Sequence, residues 1–224
     1  MIDLLLTHVF IWAEMLAMLI SLICWKRLLR TPFFYFIPYL IMTVAAEWSG
    51  VYTGLHHHLD VNNQIFNITT LLEFSFFYFL FFSSIKSISS KKIILVLTAF
   101  YLVSSLVNIL FIQGFSTFNS YTMLIGTMVV VFCVFLYFYS AFEQNITVNL
   151  LKEPMFWVSI GIFLFYLGDF TFNLMYPFLQ KNNLKSEQHL FKLINNNLII
   201  FEYLCFAVAL IVFSCYKQDR AIKD

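Results

Sequence analysis

The sequence contains few charged residues. Asp, Glu, Lys and Arg make up 11% of the 224 residues, whereas a typical soluble domain has about 25%. Hydrophobic residues make up 61%, phenylalanine alone contributes 29 residues, and the mean hydropathy is +0.84. This composition excludes a soluble globular domain and predicts a polytopic membrane protein. The net charge of +1 also excludes the strongly basic surface that is typical of nucleic-acid binding.

Sequence motifs of several enzyme and transporter classes are missing as well. There is no HExxH, no GxSxG and no phosphate-binding glycine loop. The middle of the last apolar segment has no lysine, which excludes a retinal Schiff base of the rhodopsin kind. No Pro-Gln dipeptide occurs, which argues against PQ-loop and SWEET transporters, and the spaced intramembrane histidines of alkaline ceramidase-like hydrolases are absent. None of the four cysteines has CxxC spacing, so we interpret them as apolar packing residues.

Seven apolar segments are long enough to cross a bilayer, because a transmembrane helix needs about 20 residues. They cover approximately residues 4–25, 32–53, 65–85, 93–113, 121–142, 155–179 and 193–215. Only short polar links separate them. The sequence therefore predicts an all-α fold, with residues 1–224 forming a single seven-helix transmembrane domain.

The distribution of basic residues predicts the direction of the chain. Ten of the thirteen Lys and Arg lie in alternate links and in the C-terminal tail, and the other three are Lys181, Lys185 and Lys192. Basic residues concentrate on the cytoplasmic side of membrane proteins. We therefore predict an N-terminus outside and a cytoplasmic C-terminus.

Acidic side chains inside the apolar segments are the main functional signal. A carboxylate at the centre of a bilayer costs about 2.5–3.5 kcal/mol, and such residues usually mark function. Counting along each span places five acids at similar depth, and several asparagines lie near them. The predicted ligand- or cation-binding residues are Glu14, Glu47, Glu73, Asp169, Glu202, Asn67, Asn173, Asn195 and Asn196. They would hold protons, a cation or a small polar ligand; the alternative is that protonated acids only join helices by hydrogen bonds.

Two parts of the chain can be aligned as an internal repeat. Glu47 follows Pro32 by fifteen residues, and Asp169 follows Pro154 by the same interval. In the third span Asn67 precedes Glu73 by six residues, and in the seventh Asn196 precedes Glu202 by six. Spans 1–3 and 5–7 would then be parallel repeats joined by span 4. A chance match is the alternative interpretation, since the first and fifth spans do not align convincingly.

Three adjacent histidines, His56, His57 and His58, fall in a predicted outer loop. They could bind a transition metal or respond to external pH. Adjacent residues cannot all face one ion, so a solvated loop is the simpler interpretation. The sequence indicates no cofactor.

Two resemblances to known families rest on short motifs. Phe165 to Asp169 resembles the Gly-Asp motif of lysoplasmalogenase-like membrane hydrolases, although a second matching aspartate is missing. The spacing of Asn67 and Glu73, and the Pro-Met-Phe-Trp opening of the sixth span, resemble seven-helix proteins of unknown function from Bacteroidetes-type bacteria. That second resemblance covers the whole chain and implies an inner-membrane location, with some members encoded near sensor kinases.

Four functions are compatible with these features. The preferred one is a transporter-like protein with a carboxylate-lined intramembrane site. The alternatives are a seven-helix sensor coupled to a signalling-protein partner, an intramembrane lipid hydrolase of the lysoplasmalogenase-like type, and a structural or assembly subunit. The expected partners are the lipid bilayer and either a signalling protein or further copies of this chain.

The predicted topology can be tested with a reporter fused after Asp224. Because ten of the thirteen basic residues lie on the predicted inner side, the reporter should be active only in the cytoplasm. Activity of a periplasm-specific reporter at this position would contradict the topology.

Overall fold

The structure, a computed structural model, describes the backbone of residues 9–143, 150–181 and 185–221. It also describes the side chains in these ranges, except those of residues 172–174, 176–181, 185, 187, 188 and 216–221. The described residues are mainly helical and include no β-strand. We number the long helices in chain order: α1 (Val9–Ile23), α2 (Phe36–Leu55), α3 (Leu59–Ser84), α4 (Ile88–Val107), α5 (Ser120–Glu143), α6 (Pro154–Lys181) and α7 (Lys185–Ala221).

Six of the described helical segments are long and apolar enough to cross a membrane. They are Pro32–Leu55, Leu59–Ser84, Ile88–Ile112, Ser120–Glu143, Pro154–Thr171 and His189–Cys215. Helix α1 is apolar but has 15 residues, and residues 4–8 of its predicted span lie outside the described residues. The chain is thus an all-helical protein with several helices able to span a membrane, as the sequence predicts. The count of seven spans and their orientation stay predictions.

Some helices extend beyond the apolar segments that the sequence marks. Helix α3 begins at Leu59, six residues before the predicted span, and includes the polar residues Asn62, Asn63 and Gln64. Helix α7 continues to Ala221, past the predicted end at 215. Residues 216–221 contain neither Gly nor Pro, the usual signals for a helix end. Hydropathy therefore marks the apolar part of a helix and not its termini.

The chain divides into two compact units. The central unit comprises Arg30–Thr147, and the terminal unit comprises Met1–Leu29 together with Val148–Asp224. The first contains α2 to α5, and the second contains α1, α6 and α7. That the whole chain acts as one transmembrane domain stays a prediction.

In the central unit, α2 and α3 form an antiparallel hairpin. Thr53 Oγ1 and Asn62 Oδ1 are 3.0 Å apart near the connecting turn. Further along, the rings of Tyr39 and Phe76 stack with their centroids 4.5 Å apart. Helices α4 and α5 both pack against α3. The Tyr78 hydroxyl donates a 3.1 Å hydrogen bond to the carbonyl oxygen of Gly126, which joins α3 to α5.

In the terminal unit, α6 and α7 also form an antiparallel hairpin, and small residues bring the two backbones together. A Cβ atom added at Gly161 would lie 2.9 Å from Cys205 Cβ and 3.2 Å from the backbone oxygen of Glu202. About two turns further along α6, Gly168 lies against the Leu198 side chain. Small residues are common where membrane helices approach closely, because dispersion contacts between backbones stabilise the pair.

Helix α1 packs along α7 in the same unit. Arg27, just after α1, donates a 3.4 Å hydrogen bond to the carbonyl oxygen of Ser214. Only seven residues of α7 follow Ser214, too few for the 15 residues of α1 to pack against. Helix α1 therefore packs on the part of α7 that precedes Ser214. Because the C-terminal end of α1 is the end near Ser214, the two helices run parallel.

The glycine contacts predict a difference between two alanine substitutions. Gly161→Ala should lower the stability by about 1–3 kcal/mol, because overpacking forces backbones apart. Gly54→Ala is the matched control, because no atom lies within 4 Å of a Cβ built there. It should leave stability unchanged or raise it by up to about 1 kcal/mol through helix propensity. Thermal unfolding of both variants in detergent measures the difference; equal melting temperatures would contradict the close approach of α6 and α7.

Candidate functional site

Three of the five predicted acids lie in the terminal unit, and all three are almost completely buried. The exposed fraction of the side chain is 2% for Glu14, 4% for Asp169 and 1% for Glu202. They belong to α1, α6 and α7, respectively. Each takes part in hydrogen-bonding or electrostatic contacts. Such burial is rare for carboxylates, which are almost never fully buried unless they are paired.

Glu14 and Glu202 lie at the same level along α1 and α7. The Arg27–Ser214 hydrogen bond relates the parallel helices by an offset of 187 residues. Carried back along the parallel helices, this offset places Glu14 at approximately the level of Glu202. Both side chains point away from the surface. The structure thus brings two buried carboxyl groups to one level of two adjacent helices.

Asp169 lies further along the α6–α7 hairpin. Gly168 contacts Leu198, so Asp169 is level with the residues just before Leu198 in the sequence. At about 1.5 Å per residue, this places Asp169 about 6–9 Å from Glu202 along the helix axes. Asn195 and Asn196, which were predicted as site residues, are half-buried on this part of α7. Asn195 Oδ1 is a buried oxygen that accepts no hydrogen bond. The side chain of Asn173, the remaining predicted residue of this region, lies outside the described residues.

The other two acids belong to the central unit and are half-buried. The Tyr39 hydroxyl donates a 3.1 Å hydrogen bond to Glu73 Oε1, which joins α2 to α3. Glu47 lies near enough to Glu73 for an electrostatic interaction between the two carboxyl groups. The fully buried Tyr101 on α4 also interacts electrostatically with Glu73. Glu73 is therefore the centre of a polar cluster formed by α2, α3 and α4.

Sequence analysis missed the tyrosines of this cluster. Tyr39 and Tyr101 lie in apolar segments, where hydropathy treats tyrosine as one more aromatic residue. Tyr39 is also 34 residues from Glu73 in the sequence, so no local spacing connects them. A tyrosine hydroxyl inside an apolar segment is the only sequence signal, and it does not identify the partner.

Asn67 uses its side-chain amide to hold the segment between α4 and α5. Its Nδ2 donates to the carbonyl oxygens of Phe115 and Thr117, at 2.9 and 2.8 Å. Its Oδ1 accepts from the backbone N–H of Asn119 at 2.9 Å. These three bonds attach the backbone of residues 115–119 to α3. The ligand-binding role that the sequence predicts for Asn67 stays a prediction, whereas its contact with the backbone is directly visible.

The three histidines follow α2. His57 has a left-handed backbone conformation with φ of 58°, and the rings of His56 and His58 stack with centroids 6.4 Å apart. Within the part of the chain that the structure describes, no group of three or more His, Cys, Asp and Glu side chains is placed to hold a metal ion. The metal site that the sequence offers as the alternative to a solvated loop gains no support from this arrangement.

An apolar groove runs along the outer face of the α2–α3 hairpin, with a volume of about 430 Å³. Its walls include Tyr35, Tyr39, Met42, Leu72, Phe76 and Phe79. Tyr39 connects it to the polar cluster, because its ring lines the groove and its hydroxyl bonds Glu73. One wall residue of the groove, Tyr39, thus contacts a carboxyl group.

No protein-family model matches the chain, and neither a curated protein nor a solved structure matches it. The apolar helices indicate an integral membrane protein in a lipid bilayer. Any more specific function has to be argued from the residues themselves, and the two resemblances noted above stay resemblances.

The Asn67 contacts predict a large effect of a small substitution. Asn67→Ala should lower the free energy of unfolding by about 3 kcal/mol, since three hydrogen bonds of about 1 kcal/mol each are lost. Asn63→Ala is the control: Asn63 lies on the same helix and makes one exposed bond to the Ser116 carbonyl oxygen. It should cost less than about 1 kcal/mol. Unfolding in detergent, with proteolysis of residues 113–119 as a second measurement, distinguishes the variants; equal effects would contradict the structural role of Asn67.

Proposed function

We propose that this protein is a transporter-like membrane protein in which Glu14 and Glu202 form a proton- or cation-binding pair. The supporting observation is the placement of two almost completely buried carboxyl groups at one level of the adjacent helices α1 and α7. Two negative charges side by side in a low-dielectric interior repel each other strongly. The pair is favourable when it shares a proton or encloses a cation, and the two groups then titrate as one unit.

Asp169 and the asparagines near it extend this site along the hairpin. In the proposed topology, with the N-terminus outside, α6 runs from the cytoplasmic to the outer side, and Asp169 lies on the outer side of the pair. Asn195 contributes an oxygen that accepts no hydrogen bond. A proton or cation could pass from the outer end of the hairpin to Asp169 and then to the pair. The proposed location is the inner membrane, which the resemblance to seven-helix proteins of Bacteroidetes-type bacteria implies.

The contacts inside the two hairpins support the internal repeat. Glu47 and Asp169 are 122 residues apart, and Glu73 and Glu202 are 129 residues apart. The same two offsets carry the stacked pair Tyr39–Phe76 onto Gly161 and Cys205, which are also in contact. The acids, prolines and asparagines that define the repeat in the sequence do not include these four contact residues. We propose that α2–α3 and α6–α7 are repeats of one hairpin with the same register.

The proposed repeat shows what the two units have in common and where they differ. Both hairpins carry two acids at corresponding positions, whereas the third helix differs. Helix α1 contributes Glu14 to the terminal unit. In the central unit α5 packs on α3 with Gly126 against the Phe74 ring, and the one acid of α5, Glu143, lies at the far end of that helix. The terminal unit is therefore the better candidate for the binding site.

This proposal predicts that both acids of the pair are needed for the pair to take up and release its proton. Glu14→Gln and Glu202→Gln should each remove a protonated-carboxyl band from the infrared difference spectrum of protein in lipid nanodiscs as pH is varied across neutrality. A shared proton explains why one substitution suffices. Glu143→Gln is the control, because Glu143 is exposed at the end of α5. A band that persists in both variants would contradict the pair.

Transport requires a second measurement with the same variants. Protein reconstituted in liposomes that contain a pH-sensitive dye should move protons when a membrane potential is applied. Glu202→Gln should abolish this movement, and Glu143→Gln should retain it. Titration of the pair without transport would favour the partner-coupled sensor, while turnover of a vinyl-ether lipid would favour the hydrolase.

A further inference from the structure

The groove on the α2–α3 hairpin is suited to a hydrocarbon chain. Two hydroxyl groups in its lining are already engaged: Tyr39 donates to Glu73, and Ser75 donates to the Leu71 carbonyl oxygen at 2.7 Å. Apart from the hydroxyl of the exposed Tyr35, the remaining walls are aromatic, aliphatic or thioether groups, so an occupant gains dispersion and desolvation energy and few hydrogen bonds. A volume of about 430 Å³ is within the usual range for a site that holds one small ligand.

The surroundings of the groove indicate a membrane lipid as the occupant. Helices α2 and α3 are both long and apolar enough to cross a membrane. Tyr35, Leu72 and Phe79, which line the groove, are also exposed at the surface. A groove that opens sideways on a spanning hairpin faces acyl chains rather than water. Acyl chains are therefore the molecules that reach it.

One end of the groove lies near a cluster of positive charge. Arg30 precedes the turn that carries Tyr35, and Lys86 follows the end of α3, whose last turns carry Phe79; both basic side chains are exposed. Lys91, at the start of α4, lies over the Phe82 ring at 5.1 Å. Lys92 on α4 adds a fourth cation. Among the described residues at this end of the central unit, Glu143 at the end of α5 is the one acid. This end of the central unit is positively charged and attracts an anionic headgroup.

We propose that the α2–α3 groove binds one acyl chain of an anionic glycerophospholipid, with its phosphate at Arg30 and Lys86. The chain would lie against Tyr39, whose hydroxyl bonds Glu73. Lipid occupancy would then fix the Tyr39 ring and the polar cluster around Glu73. The site belongs to the central unit, so it is independent of the Glu14–Glu202 pair.

Native mass spectrometry of the full chain released from nanodiscs tests this proposal. Nanodiscs that contain equal amounts of phosphatidylglycerol and phosphatidylcholine provide the two probes. The expected result is one retained phosphatidylglycerol per protein. Met42→Trp, which places an indole in the groove, should remove the retained lipid. Ile41→Trp is the control, because Ile41 is the exposed neighbour on the same helix and does not line the groove.

The headgroup contact is tested by removing the charges of Arg30 and Lys86 and measuring the lipid preference. The double substitution Arg30→Gln and Lys86→Gln should reduce the preference for phosphatidylglycerol by about thirtyfold, the effect of two cations near an anionic surface. Lys26→Gln with Lys152→Gln removes two exposed charges of the terminal unit and should leave the preference unchanged. Thermal unfolding of every variant verifies that it is folded. Retention of phosphatidylglycerol by folded Met42→Trp, or equal retention of phosphatidylcholine by the unchanged protein, would overturn the proposal.

Discussion

A polar side chain in hydrocarbon has to satisfy its hydrogen bonds inside the protein, and this constraint decides which residues connect the helices. Most serines and threonines in the helices bond a carbonyl oxygen of the preceding turn: Thr43 bonds Tyr39, Thr69 bonds Ile65, and Ser105 bonds Tyr101. Such local bonds leave short hydroxyl side chains with little capacity for neighbouring helices. Carboxyl, carboxamide and tyrosine groups are long enough to reach across. The contacts between helices accordingly depend on Glu73, Tyr39, Asn67 and Tyr78.

The sequence predicted the helices well, because a long apolar segment can be recognised without knowledge of the segments that pack on it. The depth of the acids in a membrane stays a prediction, which rests on their position in straight helices. Contacts across helices could not be predicted from the sequence. The Tyr39–Glu73 bond and the three bonds of Asn67 depend on how far two helices slide past each other. That register depends on side-chain packing, such as Gly161 against Cys205 or Gly126 against Phe74. No local pattern in a single sequence contains this information.

The proposed repeat and the observed packing follow different divisions of the chain. If spans 1–3 and 5–7 are repeats, α1 belongs with α2 and α3, and α5 belongs with α6 and α7. In the structure α1 packs on α7, whereas α5 packs on α3. Each unit would then combine the hairpin of one repeat with the first helix of the other. Through this exchange the terminal unit contains the buried acid Glu14, whereas α5 brings no buried acid to the central unit.

The assembly of the terminal unit from the first and last helices has a consequence for biosynthesis. Glu14 and Glu202 are separated by 188 residues, so α1 is made long before the helix on which it packs. At about 5–20 residues per second, that interval is on the order of 10–40 seconds. During this time α1 carries an acid in a membrane that does not yet contain its packing partner. The ribosome thus delivers the two acids of the proposed site well apart in time, and the unit can be completed only when α7 has left the translocon.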